Sequence, residues 1–148
     1  MAIKPFDPQA YIPVVWSDDP AVDKDASDMT DYIASIVRDP GTWKQRLKLR
    51  DGQTPTEFLV GVLPSAEANA AEDNRGAAAR SWHSFLHSVR GIKGWPDKVP
   101  TVTRDGVEYV DPAWLAKTMV GPLRQCALEI GFIAYVWNNL SEADGKNS

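Results

Sequence analysis

Apolar positions recur along this chain with two different periods, and each period marks a different kind of element. Met29, Tyr32, Ile33 and Ile36 fall at helical spacing, which predicts a short helix over 27–38. Ser27 or Asp28 can cap its start, and Asp39-Pro40-Gly41 stops it. Over 43–50, Lys44, Arg46, Lys48 and Arg50 alternate with Trp43, Gln45, Leu47 and Leu49, a period of two that predicts a strand with one wet face. A turn at 51–55 leads into a returning strand over 56–63, with Phe58, Val60 and Val62 on one side. Ser65 opens an Ala-rich helical stretch. A sharper helical stripe follows over 77–90, formed by Ala78, Trp82, Phe85, Leu86 and Val89. Residues 91–100 read as a loop. A second hairpin spans 99–103 and 107–110 around Asp105-Gly106.

Asp111-Pro112 is a helix start, an N-cap residue followed by Pro at the first helical position. Gly121-Pro122 interrupts that helix, and the last helix runs over 123–140. It is apolar nearly all round. Leu123, Cys126, Ala127, Ile130, Ile133, Ala134 and Trp137 share one side, and Leu128, Phe132, Tyr135 and Val136 share another. Such a helix is buried on both sides, either as the centre of its own domain or with one stripe under another subunit. Glu129 breaks the run and is expected at the helix edge, in water.

Residues 1–20 carry Pro5, Pro8, Pro13 and Pro20, which argue against a helix or a central strand. They also carry Phe6, Tyr11, Ile12, Val14, Val15 and Trp16, more apolar weight than water favours exposing, so the arm is expected to pack on its own domain or on a neighbouring chain. The expected organisation is therefore an extended arm over 1–20, one α+β domain over 21–140 and a polar, frayed tail over 141–148. The fold class is α+β, a helix-rich core with one or two antiparallel hairpins at one side.

Composition narrows the possible functions. The 148 residues hold 16 Lys plus Arg against 20 Asp plus Glu, a net charge of −4 that disfavours a dedicated polyanion binder. The single cysteine, Cys126, excludes an intramolecular disulfide and fits a reducing compartment, so a cytoplasmic setting is expected. No segment reads as a signal peptide, and no apolar stretch reaches the roughly 18 residues of a membrane span.

Candidate chemistry is sparse. His83 and His87 stand four apart on one helix, a spacing that can bring two imidazoles to one metal. The pattern is not H-E-x-x-H, and Arg80 and Arg90 on the same helical face would oppose a cation, so these histidines read as part of a solvated polar face, with a small anion-contacting patch as the alternative. Cys126 in the apolar seam reads as a core residue rather than a nucleophile. Counted from Asp23, an EF-hand loop would need Gly where Asp28 stands and Glu where Ala34 stands. The 91–94 segment is no phosphate loop, and G-x-S-x-G is absent. The expectation is no catalytic residue, no metal and no cofactor, hence not an enzyme.

Surfaces for partners are easier to find. Phe6, Tyr11 and Trp16 in the arm and Leu128, Phe132 and Tyr135 on the last helix are the candidate partner-binding residues, serving a homo-oligomer or other structural proteins. Lys44, Arg46, Lys48 and Arg50 offer an alternative, a basic strand tracking nucleic-acid phosphates. That strip can instead pair with the Asp-rich segment before it.

The Pro-rich arm, the charged strand followed by Thr54-Pro55-Thr56-Glu57-Phe58, the helix opening Leu63-Pro64-Ser65-Ala66-Glu67 and the two-helix C-terminal region together resemble small accessory proteins of tailed bacteriophages. That class includes assembly chaperones and minor virion proteins. The resemblance lies in layout and transfers no functional residue. It implies a non-enzymatic role in virion or tail assembly, acting by protein–protein contact.

Overall fold

The computed structural model describes residues 9–39, 43–73 and 76–147. Its elements run β1 (Tyr11–Val15), β2 (Val22–Asp23), α1 (Tyr32–Arg38), α2 (Trp43–Arg46), β3 (Lys48–Leu49), β4 (Glu57–Gly61) and α3 (Ser65–Asp73). They continue through α4 (Ala77–Ser88), β5 (Val89–Lys93), β6 (Thr101–Arg104), β7 (Val107–Val110), α5 (Pro112–Thr118) and α6 (Leu123–Asn147). The fold is α+β. An antiparallel sheet ordered β1-β4-β5 packs with the helices around one core, and β2-β3 and β6-β7 form two smaller antiparallel pairs.

The core joins sheet and helices. Val14, Val60 and Val89 from the sheet are fully buried with Ile36, Phe85, Leu115, Ile130 and Ile133 from the helices. Phe58 and Phe85 meet with ring centroids 5.8 Å apart, an edge-tilted aromatic pair linking β4 to α4. Polar ties close the seams. Asn138 of α6 accepts from Leu63 N at 3.0 Å and donates to Gly61 O at 3.3 Å, pinning the end of β4. The Tyr32 hydroxyl donates to Val15 O at 2.7 Å, and burial raises its pKa.

Helices α4 and α6 approach each other closely. A Cβ built on Gly131 would run into the backbone carbonyl of Ser81 and touch Phe85. Ala127, Gly131 and Ala134 share one face of α6, and Ser81, Ser84 and Ser88 share one buried face of α4. The small side chains let the two helices close up. The Ser84 and Ser88 hydroxyls are buried with no hydrogen-bond partner among the described residues, so the close packing bears a polar cost.

Several sequence expectations hold. Asp111 accepts from Ala113 N at 3.0 Å and starts α5 with Pro112 at its first turn. Asp105 and Gly106, with φ of 54° and 74°, form the β6–β7 turn that the Asp-Gly pair predicts. The break at Gly121-Pro122 separates α5 from α6.

Others are corrected. The arm is not separate from the domain: Tyr11–Val15 is an edge strand paired with β4, and Ile12, Val14 and Val15 are core. An edge strand tolerates Pro13, which a central one would not. Phe6 lies outside the described residues. The basic strand over 43–50 does not form. Trp43 and Leu47 are both buried four residues apart, so one helical turn, α2, takes Lys44 and Arg46, while Lys48 sits in β3 and Arg50 follows it. The first predicted hairpin therefore dissolves, and β4 pairs with β1 and β5. Helix α1 begins at Tyr32 because Asp23 and Asp28 hold turns ahead of it, accepting from Asp25 N and Thr30 N. The predicted helix over 77–90 ends at Ser88, and Val89–Lys93 becomes β5. Helix α6 runs to Asn147, past the end predicted at 140.

Replacing Gly131 by Ala tests the α4–α6 contact. Helix propensity alone favours Ala by about 1 kcal/mol. The clash with Ser81 should reverse the sign, lowering unfolding free energy by about 1–3 kcal/mol or more in urea titration.

Candidate functional site

Two arrangements stand out, a polar cluster on α3, α4 and β6 and an apolar groove between α1 and α6. The cluster starts from the β6–β7 turn. There the Asp105 carboxylate accepts from Ser65 N at 3.2 Å, meeting an open donor in the first turn of α3. The turn that caps the helix thereby brings Arg104 to Glu67, two residues into α3. Across from them, His83 and His87 lie one turn apart on α4 with ring centroids 4.7 Å apart.

Glu67 is the hub. Its Oε1 accepts from Arg104 Nη2 at 2.9 Å, and its Oε2 lies 3.1 Å from His83 Nε2 and 3.6 Å from His87 Nε2. His83 Nε2 also lies 3.1 Å from the Glu67 carbonyl. Arg104 Nη1 stands 2.9 Å from His87 Nδ1. A guanidinium only donates, so Nδ1 accepts and the proton of the neutral ring sits on Nε2, facing the carboxylate. The Glu67 side chain is 19% exposed and each histidine 18%. The histidines are therefore not a solvated polar face; as in the alternative reading they contact an anion, here the Glu67 carboxylate of the same chain. Arg80 and Arg90 do not oppose them either. Arg80 lies over the Tyr135 ring, and Arg90 lies over Tyr109 and donates to Glu108 O.

Electrostatics follow this geometry. The hydrogen bond from Arg104 holds the Glu67 carboxyl below the usual carboxylate range, against the opposing effect of burial. Burial lowers the His87 pKa, with Glu67 pulling the other way and His83 and Arg104 adding to the lowering. Among the described residues, Glu67, His83 and His87 form a group of ligand-bearing side chains, each offering one atom, all within 4.8 Å of one another.

The groove has a volume of about 900 Å³. Met29, Ile33 and Val37 form one wall and Phe132 and Val136 the other. Phe132 is 41% exposed. At its rim the half-buried Glu129 accepts from Ser17 N at 2.8 Å and from Ser17 Oγ at 2.5 Å.

The remaining predicted residues are scattered. Leu128 and Tyr135 are half-buried on α6, and Tyr135 is not in the groove. Tyr11 is exposed beside Arg90, and Trp16 is half-buried against the core. Arg46 pairs with Asp28 at 3.2 Å and donates to Thr30 O, so the Asp-rich segment does engage part of the basic strip. Arg50 donates from its backbone to Ala21 O and from Nε to Pro20 O, while Lys44 and Lys48 are exposed. Cys126 is buried in the core, and burial raises its thiol pKa. Among the described residues no helix is long and apolar enough to cross a membrane.

Sequence reasoning found the two histidines but missed Glu67 and Arg104. The helical spacing of His83 and His87 was a signal. Nothing local joins them to residues 16 positions before and 17 after. No family model, curated protein or solved structure matches the chain.

The cluster makes stability depend on pH with a definite sign. The folded-state pKa of Glu67 is depressed, so its contribution is complete above its unfolded value of about 4.3 and is lost as pH falls through the folded value. His87 acts in the same direction, opposing folding as pH falls below its unfolded value of about 6.5. Urea midpoints should therefore fall as pH is lowered from 7. The stability advantage of the native chain over Glu67→Gln should be largest at neutral pH and shrink below pH ~4. An advantage independent of pH would remove the ionised carboxylate as its cause.

Proposed function

We propose that this chain is a non-enzymatic assembly protein that acts through the groove between α1 and α6, and that the groove's occupant is a second copy of the chain. One observation carries this reading: Phe132 stands 41% exposed in a groove where Met29, Ile33, Val37 and Val136 face it, with Asp31, Arg38 and Glu129 also in the lining. Burying a large aromatic in such a cleft is the usual source of strong interface contacts. Charge favours a symmetric partner. Asp31 and Arg38 both line the groove, at opposite ends of α1 and about 10 Å apart along the helix axis. Two copies related by a two-fold axis would set the Asp31 of each against the Arg38 of the other, a self-complementary arrangement.

The setting rests on the resemblance in layout to accessory proteins of tailed bacteriophages. The helix opening at 63–67 and the two C-terminal helices stand in the fold, whereas the charged strand does not. The nucleic-acid reading loses its basis for the same reason, since Lys44, Arg46, Lys48 and Arg50 are divided between a helical turn, a short strand and a loop.

Light scattering over a concentration series should give a dimer mass for the native protein and a monomer mass for Phe132→Asp. Asp31→Arg alone should weaken association, and adding Arg38→Asp should restore it. Phe132→Ala should lower monomer stability by less than about 2 kcal/mol, against about 3–5 kcal/mol for the buried Phe85→Ala. A native protein that stays monomeric throughout, or a Phe132→Asp variant that keeps the dimer, would overturn the proposal.

A further inference from the structure

The geometry points to a divalent transition-metal site, with Zn²⁺ as the best-matched ion, formed by Glu67 Oε2, His83 Nε2 and His87 Nε2. This site shares no residue with the groove and does not depend on the assembly reading.

The first argument is metric. Tetrahedral zinc with bonds of about 2.0–2.1 Å sets neighbouring donor atoms about 3.3 Å apart. The two edges from Glu67 Oε2 measure 3.1 Å to His83 and 3.6 Å to His87. One ligand atom from each of the three residues lies within 4.8 Å of the others, so side-chain adjustments can complete the triangle. The second argument is donor chemistry. Two imidazoles and one carboxylate form a set suited to Zn²⁺ and leave a fourth position open to water. The third is placement. The donors come from the first turn of α3 and from successive turns of α4, so the ion would staple these helices together. All three are largely buried yet keep some exposure, which leaves a path for the ion.

Arg104 gives the site its particular logic. Without metal, its guanidinium supplies the positive charge beside Glu67 and donates to His87 Nδ1. To bind through Nε2, the neutral His87 ring must carry its proton on Nδ1 instead. That N–H would then face the N–H of Arg104, donor against donor, beside a newly arrived cation. Arg104 must therefore turn away for metal to bind. Its side chain is 28% exposed, so water is within its reach. Arginine and metal compete for one carboxylate, and Arg104 weakens the site that it otherwise completes.

This competition gives an unusual test. Untagged, metal-stripped full-length protein should bind one Zn²⁺ in calorimetric titration, and Co²⁺ in its place should give the intense visible absorption of tetrahedral coordination. Zn²⁺ should raise the melting temperature of the native chain. His83→Ala, His87→Ala and Glu67→Gln should each abolish these responses while retaining helical circular dichroism. Arg104→Gln should bind Zn²⁺ about tenfold more tightly, because a cation is removed and the amide oxygen can accept from His87 Nδ1–H. A tighter variant cannot result from misfolding, so it guards against loss of fold in the others. Absence of stoichiometric binding by both the native chain and Arg104→Gln, or binding unchanged by His83→Ala, would overturn the site.

Discussion

The close approach of α4 and α6 is the constraint on which the rest of the structure depends. At Gly131 the helices are so near that no side chain fits against the Ser81 carbonyl. Small residues on both faces serve that distance, and the unpartnered Ser84 and Ser88 hydroxyls are its cost. Once α6 is committed to α4 through Ala127, Ile130, Gly131 and Ala134, its opposite stripe must find other cover. Helix α1 supplies some of it, but α1 has only seven residues. Phe132 and Val136 are left lining a groove. The groove therefore follows from a long helix with two apolar stripes packed in a domain with enough cover for one.

The same helix pair sets the polar cluster. With Ser81, Ser84, Phe85 and Ser88 turned inward, His83 and His87 face α3 and β6. Two half-buried imidazoles and an arginine gathered in one place would be costly without an anion. Glu67 meets all three, so one carboxylate with multiple donors replaces the water that each group gives up. Such hubs define position well. Removing the carboxylate leaves three donors converging on nothing, whereas removing one donor leaves two.

How much of this was legible in the sequence depended on the range of the interaction. Short-range signals served well: Asp111-Pro112 started a helix, Asp105-Gly106 made a turn with both residues at positive φ, and Gly121-Pro122 separated two helices. The 43–50 segment misled because alternating cations imitate a strand, while the burial of Trp43 and Leu47 four residues apart obeys a helix. The buried face of α4 was legible in part: Phe85 and Val89 are core and Trp82 and Leu86 pack against it, but Ser81, Ser84 and Ser88 are buried as well, and Gly131, which closes on Ser81, lies fifty residues further on. Val89–Lys93 is too short, and too continuous with the helix before it, for periodicity to separate it. The cluster needed Glu67 and Arg104 on the histidines, which only the tertiary fold supplies.

Glu129 shows how the groove can be polar at its rim and still hold its shape. A carboxylate beside Phe132 and Val136 would ordinarily seek water or a cation, and Ser17 instead gives it two hydrogen bonds, one from backbone and one from hydroxyl. These bonds join residues 112 positions apart and hold the chain leaving β1 against α6. The adjacent Trp16 packs on the core, and Val15 accepts from the Tyr32 hydroxyl of α1. Both helical walls of the groove are thus tied to the same short stretch of chain, α1 through Tyr32 and α6 through Glu129. A cleft fixed this way is formed before anything enters it. A second copy, as proposed, would then not have to supply the free energy of ordering the walls, and more of the apolar contact with Phe132 would be available for association.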